Sequence, residues 1–387
     1  MSKLLIVATA DNHLSKHYAK LTPRKLETRR SWLQRAFKAA VDYAIQHNAD
    51  IFVQAGDLFD TPDPSNADLD FVASCYKRLL QRGTKILAVG GNHDTPSNQS
   101  VQGGKSPLAP LATLGALSLP ERGKPYQLNV NFEGKNLSII SFTPDFNSRS
   151  TDPLETVLDL GLEPDILVTH AAVEGLTPSM ENDPVIKFES INRAQQLRLV
   201  VTGHIHQHQR FQLGGVQVLI PGATEQITFG EAGNPTGFAA IKISSDMKIE
   251  IQHVDTPHQP RINHNIYITD GDTNLHEKLL STILESASPD TLMRLVLSGD
   301  ISRTTYRSLA LAQLLKAGQE ANFHFEIDTT RLLVVEEFSA GISRGLRVSQ
   351  VDRIREVAEE LIGVTNEPSQ VDLIQKARDL ILELYNE

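Results

Sequence analysis

The feature that most constrains the fold of this chain is a repeated pattern in which a short apolar segment is followed at once by Asp, Asn or His. Five such segments read KLLIVATADNH, ADIFVQAGD, KILAVGGNHD, PDILVTH and LRLVVTGHIH. Short apolar runs bounded by polar residues predict buried strands. One polar residue after a strand means little, because loops are polar, whereas five successive cases are hard to explain by chance. Open α/β sheets bind ligands beyond the carboxyl ends of their strands, so the pattern predicts a functional site there.

Helical periodicity lies between the first three of these strands. One helix is expected from about residue 28 to 46 and another from 68 to 81, with Gly83 as the stop signal of the second. Strand–helix–strand connections imply parallel pairing. After Asn131 the apolar segments NLSIISF, VQVLIPG and GFAAIKI predict a second sheet packed on the first. The predicted fold class is therefore α/β, with two stacked sheets flanked by helices.

Length and local composition predict two domains and a C-terminal helical segment. The chain has 387 residues, too many for one ordinary core. The stretch 253–265, rich in Pro, His and Asn, predicts a linker, so residues 1–255 are expected to form the first domain. Residues 262–340 predict a smaller α+β domain. Residues 341–387 are expected to form two amphipathic helices, at about 349–362 and 368–386, which either pack on the preceding domain or dock a partner.

The distribution of charge leaves two interpretations open. The net charge is −10, so the surface as a whole does not indicate nucleic-acid binding. Eight Lys or Arg residues nevertheless lie between Lys16 and Lys38, against a single acidic residue. This stretch is either a solvated helix face or a phosphate-facing patch that includes Lys16 and Arg24. Lys105, in the polar loop 95–107, is a further candidate for binding substrate.

Cysteine usage and hydropathy indicate the compartment. The single cysteine, Cys75, excludes an internal disulfide and agrees with a reducing compartment. No apolar stretch approaches the ~20 residues that span a bilayer, and no signal-peptide cleavage pattern follows the first apolar segment. The expected location is therefore cytoplasmic.

The residues that follow the five predicted strands are of the types that bind metal ions. They are Asp11, His13, Asp57, Asn92, His170, His204 and His206. Seven ligands are too many for one ion and suit two ions that share a carboxylate. Oxygen donors mixed with imidazole suit Mn²⁺, Fe²⁺ or Zn²⁺, and the oxygen-rich set favours Mn²⁺. Two such ions neutralise phosphate oxygens during in-line displacement, so the set favours phosphate-ester hydrolysis.

His93 is better placed to donate a proton than to bind a metal ion, because neighbouring residues in a turn point in different directions. The pKa of an imidazole lies near working pH, which suits protonation of the leaving oxygen. Asp94 is expected to orient His93. In the alternative, His93 is the ligand and Asn92 is a turn residue. His208 lies outside the GHIH segment and is expected to face neither ion.

The segments DNH, GDLFD, GNHD, VTH and GHIH, in this order and spacing, resemble the five motifs of the calcineurin-like metallophosphoesterases. The resemblance covers roughly residues 4–206. It implies that Asp11, His13, Asp57 and His206 hold one ion. It implies that Asp57, Asn92, His170 and His204 hold the other, with Asp57 bridging and His93 as the catalytic acid.

Within this family, GDLFDTPDPSNAD and PGATEQITFGE are similar to segments of the bacterial SbcD-type nucleases. This similarity implies a DNA exo/endonuclease acting in repair, a DNA-capping role for the region after residue 262, an SMC-like (Rad50/SbcC-type) ATPase partner and a homodimer. The eukaryotic and archaeal branch carries His where this chain has Asp60.

Two other functions compete with this interpretation. A small-molecule phosphodiesterase or phosphoprotein phosphatase would use the same dinuclear site, but in a closed pocket in place of a spacious cleft. A non-catalytic subunit that only binds DNA or a partner would have lost metal ligands, whereas every expected ligand is present here.

Overall fold

The computed structural model describes residues 3–96, 102–146, 151–335, 345–346, 350–363, 365 and 368–384. Contacts between Cα atoms divide the chain into two compact units, residues 1–259 (unit 1) and 260–387 (unit 2). The stretch 253–265, expected to be a linker, is mostly strand, because one strand ends at Asp255 and the next begins at Arg261. Only residues 256–260 connect the two strands.

Unit 1 contains thirteen strands and five α-helices among the described residues. In chain order they are β1 (Lys3–Thr9), α1 (Pro23–Gln46), β2 (Ile51–Ala55), α2 (Asn66–Leu80), β3 (Lys85–Val89), α3 (Ala109–Thr113), β4 (Pro125–Phe132), β5 (Lys135–Phe142), α4 (Pro153–Asp159), β6 (Ile166–His170), β7 (Ala172–Val173), β8 (Val185–Ile186), α5 (Phe188–Arg193), β9 (Leu199–Gly203), β10 (Gln209–Leu213), β11 (Val216–Ile220), β12 (Gly237–Ser244) and β13 (Ile249–Asp255). Short 3-10 helices cover Gln102–Gly104 and Phe229–Glu231.

Two sheets form the centre of unit 1. One has the strand order β13-β12-β1-β2-β3 and the other β10-β11-β9-β6-β5-β4. β1, β2 and β3 pair in parallel, as do β5, β6 and β9. A buried cluster joins the facing sides of the two sheets, for example through Val53 of β2 and Val168 of β6. The predicted α/β fold with two stacked sheets is confirmed.

Helices cover the outer faces of both sheets. Phe37 of α1 and Tyr76 of α2 are fully buried against β1 and β2, and Leu154 of α4 is buried against the second sheet. The first helix begins at Pro23, earlier than expected, because proline suits the first turn of a helix, where its missing N–H costs no hydrogen bond. The Ser65 hydroxyl accepts the N–H of Asp68 and caps α2.

Unit 2 combines strands and helices around its own core. Its elements are β14 (Arg261–Tyr267), α6 (Leu275–Glu285), β15 (Leu292–Ser302), α7 (Arg303–Ser308), α8 (Leu311–Ala321), β16 (His324–Val335), β17 (Gly345–Leu346), α9 (Gln350–Gly363) and α10 (Pro368–Leu384). β14, β15 and β16 run parallel, and β17 pairs antiparallel with β16. The two C-terminal helices lie within two residues of the expected bounds. The described part of α10 leaves Leu373, Leu380 and Ile381 exposed.

Candidate metal centre

The structure brings all seven predicted ligands to one end of the two sheets of unit 1. Main-chain hydrogen bonds align the segments that follow β1 and β2, because Asp11 N–H donates to the Gly56 carbonyl (3.1 Å) and His13 N–H to that of Asp57 (3.1 Å). The loop after β9 joins them through His204 N–H, which donates to Asp11 Oδ1 (3.0 Å). The carboxyl ends of the strands therefore meet, as the sequence pattern predicts.

Four of the seven residues have a backbone conformation that side-chain-bearing residues rarely adopt. The φ angles are 51° at Asp11, 47° at His13, 51° at Asp57 and 88° at His204. Such conformations cost of order 1–3 kcal/mol each and are concentrated at functional sites. Glycine would adopt them at lower cost, so the presence of Asp and His at these positions indicates that their side chains are needed.

Asp11, His13 and His206 form a group that we call the His13 set. The Nε2 atoms of His13 and His206 face each other at 3.1 Å. Carboxylates accept from the other nitrogen of each ring, since Asp60 Oδ1 lies 2.9 Å from His13 Nδ1 and Glu231 Oε1 lies 3.1 Å from His206 Nδ1. With both Nδ1 atoms protonated, two Nε2 lone pairs point at the same space. They repel unless a cation or proton lies between them.

Asn92, His170 and His204 form a second group, the His170 set. Asn92 Oδ1 lies 3.2 Å from both His170 Nε2 and His204 Nδ1. His170 Nδ1 bonds the Ala55 carbonyl at 2.9 Å, and His204 Nε2 faces Asp183 Oδ2 at 3.1 Å. The ring nitrogens left for a cation are therefore His170 Nε2 and His204 Nδ1.

Asp57 lies between the two sets. Its Oδ2 is 3.8 Å from His13 Nε2 and 3.4 Å from His170 Nε2, while its Oδ1 accepts the N–H of His93 at 2.9 Å. Burial alone would raise the pKa of Asp57, but the imidazole of His170, followed by His13, lowers it below its usual range. Burial opposes protonation of His170, yet the Asp57 carboxylate raises the pKa of His170 to about 9. The site therefore attracts positive charge strongly.

Further observations test whether the residues fit metal ions. Asp11 Oδ2 is buried, and among the described residues it has no hydrogen-bond partner, as expected for an oxygen that faces a cation. Two atoms that each lie ~2.1 Å from one ion at right or tetrahedral angles are ~3.0–3.4 Å apart, which matches the spacings within both sets. Gly91 allows the close approach of Asp57, because a Cβ at this position would lie 2.0 Å from Asp57 Oδ1. The cluster fits a dinuclear metal site.

His93 lies at the rim of the cluster. Its side chain is 41% exposed and its ring contacts that of His13 edge-on, with centroids 4.7 Å apart. Burial, reinforced by His13, lowers the pKa of His93 against the attraction of Asp57. A ligand role keeps a geometric basis, because His93, His13 and Asp57 each offer an atom within 4.8 Å of the others. The contacts of Asn92 Oδ1 with both imidazoles of the His170 set favour Asn92 as the ligand.

The Asp94 carboxylate differs from expectation. It is fully buried and accepts the N–H groups of Gly91 (2.8 Å) and Leu58 (2.9 Å), so it holds the turns after β2 and β3 together. The group beside the His93 ring is Asp60, whose carbonyl oxygen lies 3.3 Å from His93 Nδ1. Orientation of His93 therefore comes from Asp60.

Three acidic residues that contact ligand imidazoles were not assigned a role from the sequence. Asp60 and Glu231 stand in segments already noted, GDLFD and PGATEQITFGE, and their place in those segments was the available signal. Asp183 lies in a loop without a motif. His208 bonds the Pro221 carbonyl (3.2 Å) and packs beside His253, in agreement with a place outside the cluster.

The basic residues between Lys16 and Lys38 do not form one solvent-facing patch. Arg29 is fully buried, pairs with Glu225 at 3.0 Å and donates to the Gln226 carbonyl, so it stabilises the fold and cannot face a substrate. Lys16 pairs with Asp60 at 2.8 Å, at the edge of the cluster. The side chains of Arg24 and Lys105 are exposed.

The stacked sheets and the cluster at their strand ends define a metallophosphoesterase. The sequence profile described as Calcineurin-like phosphoesterase matches residues 4–208, slightly more than half of the chain, and the chain belongs to this family.

Three relatives are each described as DNA double-strand break repair protein Mre11. The chain is 26% identical to the protein of Sulfurisphaera tokodaii over 57% of this chain and 53% of the relative. It is 25% identical to that of Aeropyrum pernix over 70% and 65%, and 26% identical to that of Methanosarcina mazei over 93% and 54%. The chain thus spans 53–65% of the length of these relatives. In the described part of the chain, no helix has the length and apolarity needed to cross a membrane.

Proposed function

We propose that this protein is a metal-dependent DNA phosphodiesterase, an exo/endonuclease of the SbcD type that acts in DNA repair. The observation that carries the proposal is the pair of ligand sets around Asp57 with His93 at the rim. Similarity to double-strand break repair proteins over most of the chain supports DNA as the substrate class.

In this proposal the His13 set and Asp57 hold one divalent ion, and the His170 set and Asp57 hold the other. When bound, the ions supply activation of water and neutralisation of the phosphate oxygens. Mn²⁺ is favoured by the mixture of carboxylate, amide and imidazole donors, with Fe²⁺ or Zn²⁺ as alternatives.

His93 protonates the leaving sugar oxygen. Its Nδ1 faces the Asp60 carbonyl at 3.3 Å, and a carbonyl accepts a hydrogen bond only from a protonated nitrogen. This contact fixes the proton on Nδ1 and leaves Nε2 to give and take the proton during turnover. The exposure of His93 allows a bulky substrate to reach it.

In this proposal Lys16, Arg24 and Lys105 bind the phosphate backbone. Lys16 lies at the edge of the cluster, and Arg24 and Lys105 are exposed. We assign an SMC-like ATPase as the partner of the protein and a DNA-capping role to unit 2. A homodimer stays a prediction.

The experiment that tests the proposed function is Mn²⁺-dependent degradation of linear double-stranded DNA by the wild type and by His93→Gln, with a small chromogenic phosphodiester in parallel. We expect His93→Gln to keep both ions and to lose ~10²–10⁴-fold of its DNA hydrolysis, as is typical when a proton donor is removed. Metal content is measured on both proteins.

The outcomes test the dinuclear hydrolysis and the class of substrate separately. Cleavage of the small diester without cleavage of DNA would retain the dinuclear chemistry and move the substrate to a smaller phosphodiester or a phosphoprotein. Full activity of His93→Gln would exclude His93 as the acid. If the wild type binds metal but cleaves neither substrate, the proposed phosphodiesterase activity is excluded.

A further inference from the structure

Asn12 stands between two ligands of the His13 set, Asp11 and His13, and was not assigned a role from the sequence. Its side chain is fully buried. The amide Nδ2 donates to the hydroxyl of Thr9, at the end of β1, and to that of Thr224, each at 2.9 Å. An amide nitrogen has two donors, so both are used. Asn12 therefore ties the ligand turn to a residue 212 positions further along the chain.

The backbone of this ligand turn explains why such a contact is needed. The φ angles on either side of Asn12 are positive, 51° at Asp11 and 47° at His13. Backbone conformations of this kind persist only where the surrounding structure holds them. On the side of β2, the N–H groups of both ligands donate to main-chain carbonyls. The amide of Asn12 holds the same turn from a second segment of the chain.

This second segment, PGATEQITFGE (residues 221–231), also contacts the third ligand of the His13 set. The N–H of Ala223 donates to the carbonyl of His206 at 2.8 Å, and the carboxylate of Glu231 accepts from the ring of His206. Thr224, the partner of Asn12, lies between these two contacts. One segment therefore holds both turns that carry ligands of this set.

Buried contacts fix the segment around Thr224. The Thr224 carbonyl accepts the hydroxyl of Thr256. The neighbouring Glu225 is fully buried, pairs with Arg29 at 3.0 Å and accepts the N–H of Gln259 at 2.9 Å. A site is held precisely when the groups behind its ligands are themselves locked by packing and hydrogen bonds. Thr224 meets this condition.

We propose that Asn12 and Thr224 are positioning residues of the His13 set. They act through the backbone of the ligand turn and hold Asp11 and His13 at the spacing that a metal ion needs. Loss of their hydrogen bond should therefore weaken metal binding at the His13 set and leave the His170 set unchanged. This inference rests on the metal centre of the proposed function and specifies how one of its two sites is held.

The test measures Mn²⁺ binding to the wild type, Asn12→Leu, Thr224→Val and Thr224→Ser by isothermal titration calorimetry. Leucine and valine are similar in size to the residues they replace and remove the hydrogen bond, whereas serine keeps the hydroxyl. The control is Thr84→Val. Thr84 is buried directly before β3, at the end of that strand opposite the ligand turn, and its hydroxyl donates to the Ala49 carbonyl at 2.8 Å. The Tm of each metal-free protein is also measured.

We expect Asn12→Leu to weaken Mn²⁺ binding at the His13 set about tenfold, the lower end of the effect of removing a group behind a metal ligand. Thr224→Val should weaken it about threefold, because Asn12 keeps its hydrogen bond to Thr9. Thr224→Ser should keep the wild-type affinity, and binding at the His170 set should be the same in every variant. Thr84→Val should lower the Tm without changing either affinity.

Two outcomes would overturn the inference. Unchanged Mn²⁺ affinities in Asn12→Leu and Thr224→Val, with a Tm lowered as in Thr84→Val, would show that the two residues only stabilise the fold. Equal weakening at both sets would show that they do not act on the His13 set in particular. If Asn12→Leu does not fold, the comparison of Thr224→Val with Thr224→Ser decides.

These binding measurements do not depend on any substrate. If the wild type binds two Mn²⁺ ions and cleaves neither DNA nor the small diester, the proposed phosphodiesterase fails. The Mn²⁺ affinities of the variants then still decide whether Asn12 and Thr224 position the His13 set.

Discussion

The His13 set and the His170 set use similar residue types but position their imidazoles differently. Both rings of the His13 set have carboxylate partners, Asp60 and Glu231. In the His170 set, the ring of His170 is bonded to a main-chain carbonyl, and only that of His204 faces a carboxylate. Asp11 adds a further charge to the first set, whereas Asn92 is neutral. The comparison indicates that two neighbouring sites can differ in affinity through the groups behind the ligands.

Removal of Asp57, which lies between the two sets, should have the largest effect. Asp57→Ala should lose both ions, because Asp57 Oδ2 lies next to a nitrogen of each set. Hydrolysis should fall by about four orders of magnitude, since metal ions contribute several kcal/mol of transition-state stabilisation. Metal content by mass spectrometry and phosphodiester hydrolysis are the measurements. Two retained ions would refute the bridging role; circular dichroism checks that the variant folds.

Two matched substitutions should show that the two sets bind metal ions independently. Glu231→Gln should weaken metal binding at the His13 set and Asp183→Asn at the His170 set, each by ~10–100-fold, as is typical for the partner of a ligand imidazole. Each substitution keeps the shape of the side chain and removes one negative charge. Isothermal titration calorimetry with Mn²⁺ resolves the binding of the two ions. The His13 set has more carboxylates around it and should bind its ion first. Equal weakening of both events by either variant would show that the sets act as one site.

The smallest of the expected effects is the pH dependence of the increase in thermal stability on metal binding. In the metal-free protein Asp57 raises the pKa of His170 to about 9, so the charged imidazole stabilises the fold below pH 6.5 and this contribution is lost as pH rises towards 9. Metal binding needs the neutral ring. The increase in Tm on adding Mn²⁺ should therefore grow by a few degrees between pH 6.5 and 8.5.

Differential scanning fluorimetry with and without chelator measures this increase. His47→Gln, at an exposed histidine directly after α1, is the control and should behave as the wild type. A metal-induced increase in Tm that is independent of pH would contradict the charge assigned to His170.

The convergence of the seven ligands could be predicted because it depends on local patterns. Apolar runs indicate where the strands end, and parallel strands bring their carboxyl ends to one edge. The side chains behind the ligands could not be predicted in this way. A hydrogen bond from His206 to Glu231, or from His204 to Asp183, depends on how loops from different sheets approach. Arg29 shows the same limit, since its burial and its contacts with Glu225 and Gln226 depend on a segment almost 200 residues further along the chain.

The amino-acid sequence by itself therefore determined the α/β class, the succession of the five strands that end at the site and the identity of the residues at their ends, since hydrophobic periodicity acts over a few neighbouring positions. Only the tertiary structure decided which nitrogen of each imidazole faces the centre, that Asp94 holds two turns together, and that Asp60 contacts both His13 and His93. These outcomes depend on distances of about 3 Å between residues far apart in the chain, and hydrogen bonds are lost over fractions of an ångström.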